Sequence, residues 1–321
     1  MALTSQSRLS SKVMKILLTG SNGMVGRNIL AIAPKYQYEF LAPKSTELNL
    51  LDAADVRQYI KKNQPDMIIH AAGIVGGIQA NMAQPVKFLV DNMQMGLNIL
   101  TASNDLGITR FLNLSSSCMY PRDAINPLSE DLILKGELEP TNEGYALAKV
   151  TSTRLCEYIC QENSEHLYKT IIPCNLYGRF DKFDPNHSHM IPAVIRKIDE
   201  AKKSQQPEID IWGDGEARRE FMYAEDLAEF IFYALDNFTK MPQNLNVGLG
   251  KDYTINEYYK AVAAVVGYTG DFKHDLSKPV GMKQKLIDDS KLKEFGWCYK
   301  TSLEAGIQKT YEFYIREYCN D

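Results

Sequence analysis

The chain has 321 residues, 45% of them apolar and 24% charged, with a formal net charge of -4. That length supports a substantial core and two domains, or one domain with an added lobe. The charge gives no general pull toward nucleic acid or an anionic membrane, so an anionic ligand must be gripped by a local group of cations, and no run approaches the roughly eighteen apolar residues of a membrane span.

Residues 1–13 are polar and Ser-rich, without the apolar stretch of a signal peptide, and read as a loose tail. From Lys15 onward, "KILLTG" predicts a strand and "GMVGRNILAIAP" a helix that Pro34 helps to stop. "YEFLAP" and "DMIIHAAG" predict further strands, and "PVKFLVDNMQMGLNILTASNDLG" a long helix ended by Gly107. The strand "RFLNLSS", a helix from about Asn142 to Glu162 and the strand "YKTIIPCNLYG" follow. Alternation of this kind predicts an α/β fold, a doubly wound parallel Rossmann sheet covered on both faces. After Gly178 the rhythm breaks. "INEYYKAVAAVVGY" and "SLEAGIQKTYEFYIREY" read as helices, while "FMYAEDLAEFIFYALDN" and "NLNVGLG" look like one more helix and strand of the first sheet. The expected division is a dinucleotide domain over 14–178 and about 221–250, with a smaller discontinuous α/β lobe over about 179–220 and 251–321. Ligands of open α/β sheets lie beyond the carboxyl ends of the strands, which places the site in the cleft between sheet and lobe.

The first motif, "TGSNGMVG", puts Gly20, Gly23 and Gly26 between a strand and a helix, where they permit a tight turn, a close pyrophosphate and close helix packing. The end of the second strand, "APKSTELN", offers Lys44 and Ser45 before Glu47. That order leans toward a 2′-phosphate and NADP, although Lys44 is equally compatible with a solvated surface position. The second motif, "EGYALAKV", sets Tyr145 and Lys149 four residues apart on one helix face, so an ammonium can tune a phenol. "NLSSSCMYP" carries Ser116 and Cys118 where an apolar strand runs into a loop.

The order glycine motif, serine, Tyr-x-x-x-Lys resembles the extended short-chain dehydrogenase/reductases. "SSCMYP", "LEPTNEGYALAK", "NLYG", "HSHMIPA", "WGDGEARREF" and "LNVGLG" together are similar to the GDP-L-fucose synthase family, from about Lys15 to the C-terminal helix. The resemblance implies 3,5-epimerisation of GDP-4-keto-6-deoxy-D-mannose and then reduction of its 4-keto group by NADPH. It implies Cys118 and His189 as the epimerising pair, whose reference pKa values of about 8.5 and 6.5 straddle neutrality. Ser116, Tyr145 and Lys149 take the reductase roles. Around NADP(H) it places Gly20, Ser21, Asn22, Gly23, Met24, Val25 and Gly26, then Lys44, Ser45, Asn49, Ala71, Ala72, Leu114 and Ser115. Ser116, Tyr145, Lys149, Pro173, Asn175, Leu176 and His189 complete that set. Around the nucleotide sugar it places Cys118, Asn175, His189, Lys197, Trp212, Arg219 and Lys285.

Two positions depart from the family pattern: Val280 removes a carboxylate and Ile74 replaces a lysine. His187 and His189 near Asp181 and Asp184 lack the further spaced ligands of a zinc site, so no metal is expected. Cys156 and Cys160, one helical turn apart, read as packing residues, and the six cysteines suggest no disulfide framework. The expectation is a cytoplasmic homodimer with no nucleic-acid or membrane partner. Rival readings are a 4-reductase of another GDP-4-keto-6-deoxy sugar, such as a heptose or a 3,6-dideoxy sugar, and a catalytically silent NADP-binding sensor.

Overall fold

A computed structural model describes residues 12–184, 188–278 and 281–319. The first half alternates β1 (Met14–Thr19), α1 (Met24–Ile32), β2 (Tyr38–Leu41), α2 (Ala53–Asn63), β3 (Met67–His70), α3 (Ile78–Ala83), α4 (Pro85–Asp105), β4 (Arg110–Leu114), α5 (Glu143–Glu162) and β5 (Leu167–Pro173). The second half holds β6 (Asn175–Tyr177), α6 (Met190–Lys203), β7 (Glu208–Trp212), β8 (Arg218–Arg219), β9 (Phe221–Tyr223), α7 (Ala224–Asp236) and β10 (Asn244–Val247). It continues through β11 (Tyr253–Thr254), α8 (Ile255–Val266), β12 (Asp271–Asp275), β13 (Gln284–Lys285), α9 (Ser290–Phe295) and α10 (Leu303–Tyr318).

Six parallel strands form the main sheet in the order β10-β5-β4-β3-β1-β2. The central strands β1, β3, β4 and β5 are buried on both faces, whereas the edge strand β2 is partly exposed. Along β1, Ile16 and Leu18 join one apolar cluster with Ile29 of α1 and Phe230 of α7, while Leu17 points into the opposite cluster. That second cluster takes Val56 and Ile60 from α2, Ile99 from α4 and Cys156 from α5. A third core fills the lobe, where α6, α8 and α10 pack together, and it also takes in Tyr177, Phe221 and Tyr223.

Two features differ from the sequence-based expectation. The segment "YKTIIPCNLYG" is not one strand: β5 ends at Pro173, opposite Val247, and β6 leaves the sheet to pair with β9. Proline has no amide to extend the ladder, so the chain is free to turn there. Helices α2 and α6 were unassigned. The first buries only Val56 and Ile60, too sparse for a clear period, and its start is fixed by Asp52, whose carboxylate accepts from Ala54 and Asp55. The second carries the helical spacing Ile191, Val194, Ile195, Ile198, all buried. Residues 1–11, His187 and Val280 lie outside the described residues.

The loop that follows β4 is anchored by one side chain of β10. Asn246 is fully buried, accepts the Tyr120 hydroxyl at 2.5 Å, and donates to the carbonyls of Leu128 (2.9 Å) and Asp288 (3.0 Å). It therefore ties the Ser-Cys loop and the segment after β13 to the sheet edge. Asn246→Leu leaves the buried Tyr120 hydroxyl without this partner and takes a donor from the Asp288 carbonyl, while the Leu128 carbonyl keeps the Asp288 amide at 2.9 Å. The urea midpoint should drop by an amount corresponding to about 1–3 kcal/mol, the cost of an unpaired buried group, and an unchanged midpoint would contradict this anchoring role.

Candidate active site

The site begins at the carboxyl end of β1. Gly20 has φ +74°, and a Cβ there would stand 2.6 Å from the carbonyl carbon of Ala71, so only glycine fits. A Cβ on Gly26 would lie 2.3 Å from the Gly20 carbonyl oxygen. Gly23 opens α1 without a capping side chain, leaving the first-turn amides of Met24, Val25 and Gly26 to an external anion. Ser21 is buried and donates to the Pro43 carbonyl at 3.0 Å, pinning the turn against the end of β2. Asn22 sits exposed at the tip. Thr19 joins β1 to β3: its hydroxyl takes the Ala72 amide at 3.4 Å and meets His70 Nδ1 at 2.8 Å. Burial drives His70 down to about 3, so it is neutral and structural.

Beyond β2, Lys44 and Ser45 are exposed, and the Glu47 carboxylate accepts the Lys44 amide at 2.8 Å. Glu47 is thus used to close its own turn. Asn49 is likewise engaged locally, its side chain accepting the Leu51 amide at 3.1 Å.

The reductase set assembles where β4 and α5 meet. Lys149 is buried and donates from Nζ to the Leu114 carbonyl at 2.9 Å, with its nitrogen 5.7 Å from the Tyr145 ring centre. Desolvation lowers its ammonium to about 8. Desolvation also drives the Tyr145 phenol well above its ordinary value, the nearby Cys118 thiol adds to this, and a hydrogen bond with Ser116 opposes it. The phenol is therefore held protonated, as a proton donor to a reduced carbonyl must be. Ser115 points the other way, its hydroxyl against Met119 sulfur and Thr153, so only its backbone faces the cleft side.

Cys118 lies on the single turn after Ser116, whose Oγ accepts its amide at 3.3 Å. Its half-buried sulfur receives Asn142 Nδ2 at 3.2 Å and Lys285 Nζ at 3.5 Å. One amide donor and one ammonium therefore converge on a sulfur beside the Ser-Tyr-Lys set. His189 opens α6, with Nδ1 3.5 Å from Asp181 Oδ1.

The lobe residues fall into two groups. Arg219 and Lys285 stand opposite each other on the parallel pair β8–β13, so two cations share one strip of the cleft wall. Lys197 donates to the Asp210 carbonyl, joining α6 to β7, and Trp212 ends β7 half exposed, 5.7 Å from Lys278 Nζ to its ring centre. Asn175 donates to the Glu220 carbonyl at 2.9 Å, while Pro173 and Leu176 flank the break between β5 and β6.

Three residues escaped the sequence reading. Asn142 was visible only as the residue before a helix. Asp181 was weighed as a metal ligand. Glu220 is fully buried, pushed up to about 7 by desolvation, and accepts amides of Leu249 (2.5 Å), Gly250 (3.0 Å) and Ile287 (3.0 Å). Next to Arg219 and bonded two residues past Lys285, it holds both cationic strands in place.

A parallel sheet with a glycine turn after β1, and serine, tyrosine and lysine converging at β4 and α5, defines an extended short-chain dehydrogenase/reductase, a nicotinamide-dinucleotide enzyme. Residues 16–248 match the NAD dependent epimerase/dehydratase family, and the chain belongs to that family. It is 64% identical to a GDP-L-colitose synthase of Yersinia pseudotuberculosis, covering 96% of this chain and all (100%) of that one. It is 49% identical to a GDP-L-fucose synthase of Azorhizobium caulinodans, covering 95% and 97%. Among solved structures, a GDP-6-OMe-4-keto-L-xylo-heptose reductase from C. jejuni matches with a TM-score of 0.88 at 27% identity, over 96% of this chain and 99% of that one.

Tyr145→Phe removes the acid and keeps the ring. NADPH oxidation by a keto substrate should slow by about two to four orders of magnitude, the usual range for a positioned acid. Oxidation near the original rate would assign the proton to another group.

Proposed function

We propose that this enzyme is an NADPH-dependent epimerase and 4-reductase of a GDP-linked 4-keto-6-deoxy sugar, converting GDP-4-keto-6-deoxy-D-mannose to GDP-L-fucose. The observation that carries the reading is the thiol of Cys118, flanked by Asn142 and Lys285, beside the Ser116–Tyr145–Lys149 set. Hydrogens on the carbons next to a 4-ketone are acidic because the enolate places charge on O4. Ser116 and Tyr145 are positioned to donate to that oxygen in both halves of the reaction: first to the enolate, then to the alkoxide formed as hydride arrives. Cys118 removes a proton from one face of the sugar, and His189 returns one from the other. Lys149 holds the nicotinamide ribose. Arg219 and Lys285 supply cations for the diphosphate end, with Lys197 and Trp212 further along the same lobe. The consumption of Glu47 by its own turn, with Lys44 and Ser45 exposed beside it, supports NADPH over NADH.

A second reading is favoured by one observation. The 64% identity to a colitose synthase over its whole length exceeds the 49% to a fucose synthase. Colitose is the 3-deoxy counterpart of fucose, so a C3-deoxy keto sugar needs inversion at C5 alone, with the same base, acid and reductase set. The ratio of kcat/KM for the two keto sugars, offered in competition with NADPH, decides between the readings.

A homodimer through α4 and α5 is supported by Val86, Val90, Leu147 and Tyr158, apolar side chains exposed on two helices that pack together. Six free cysteines are in keeping with a reducing, cytoplasmic setting, and among the described residues no helix is long and apolar enough to cross a membrane.

Cys118→Ser is nearly isosteric, and its hydroxyl is too weak an acid to serve as the base. In deuterated water without NADPH, the variant should lose most of the deuterium uptake at the carbons flanking the ketone while still binding NADPH. Uptake at the wild-type rate would make Cys118 a packing residue and leave a reductase without epimerase action.

A further inference from the structure

Asp181 closes the turn that follows Gly178, its amide donating to the Gly178 carbonyl at 3.3 Å. Its side chain is only 3% exposed, whereas the His189 side chain is 35% exposed. One carboxylate oxygen, Oδ1, accepts the Lys182 amide at 2.8 Å and stands 3.5 Å from His189 Nδ1. Among the described residues, the other oxygen, Oδ2, has no hydrogen-bond partner, and neither has His189 Nδ1. A carboxylate shut away from water with an unfilled oxygen is costly, and so is a buried ring nitrogen without a partner. The two orphan atoms belong to groups in contact, and a small rotation of either side chain satisfies both.

We propose that Asp181 is a positioning residue for His189, accepting a hydrogen bond from Nδ1–H so that Nε2 faces the sugar. This inference rests on the epimerase reading above and deepens it. With Nδ1 bonded to the carboxylate, the proton that leaves the imidazolium is the one on Nε2, and the ring cannot turn its wrong nitrogen to the cleft. Atoms balance without a further reactant: one proton passes from carbon to Cys118 sulfur, and one from Nε2 to the opposite face of the same carbon. Asp181 itself exchanges no proton with the sugar.

The test separates proton exchange from hydride transfer in the full-length enzyme. Exchange is followed as deuterium uptake from deuterated water into GDP-4-keto-6-deoxy-D-mannose without reductant. Hydride transfer is followed in reverse, with GDP-L-fucose and NADP+, whose first step needs no epimerisation. Wild type must show both; absence of uptake in wild type overturns the epimerase reading itself, independently of Asp181. Asp181→Asn keeps the shape and removes the charge, and it should slow uptake by about tenfold to a hundredfold, as lost second partners of functional histidines do, with hydride transfer within about threefold of wild type. Asp181→Ser, smaller and able to admit a water, should give the same split and serves if the first variant fails to fold. Uptake at the wild-type rate, or equal loss of both activities in a folded variant, overturns the assignment, since a merely structural carboxylate would not discriminate between the two steps.

Discussion

The active site depends on one buried contact, the hydrogen bond from the Lys149 ammonium to the carbonyl of Leu114. An amine removed from water this far loses much of its basicity, and Lys149 falls to about 8. What keeps it there is the convergence of α5 on the end of β4. The same convergence brings Tyr145 beneath the ammonium and Ser116 to the phenol. The Thr153 hydroxyl, bonded to Ser115 at 3.3 Å, ties the same helix to the same strand end. The cost of the buried charge is consistent with a site whose stability is given up for function, because a dinucleotide ribose and a negatively polarised oxygen are the partners such a cation lacks.

Proton exchange and reduction share this ground without interfering. A charged sulfur at Cys118 raises the Tyr145 phenol further, so the state in which the thiolate is ready to act as base is also the state in which Tyr145 keeps its proton. The thiolate in turn favours the charged form of Lys149. Lys285 links this cluster to the lobe: its ammonium reaches Cys118 sulfur while its strand runs beside Arg219, and the buried Glu220 fixes both strands through three backbone amides.

The parts legible in the sequence were those with a local signature. The glycine turn, the alternating strands and helices of the first half, and the Tyr145–Lys149 pair follow from spacing alone, and the structure places Ser116 at the same corner. The end of β5 was misread because Pro173 and Cys174 sit inside an unbroken apolar run, and only the pairing of β6 with β9 reveals that the chain has changed sheets. Helix α2 was missed because two buried residues in eleven give no period. Asn142 and Glu220 were invisible for a different reason. Their roles arise from atoms far apart in the chain, Asn142 from a sulfur 24 residues away and Glu220 from amides 29, 30 and 67 residues away. No local window contains such information.

The central claim is that one site both inverts a carbon beside the ketone and reduces the ketone. It is tested most directly by incubating the wild-type enzyme with GDP-4-keto-6-deoxy-D-mannose and NADPH in deuterated water and reading the product by NMR. The account predicts an L-configured 6-deoxy sugar with solvent deuterium at C5 and cofactor-derived protium at C4. A D-configured product that retains protium at C5 would contradict it.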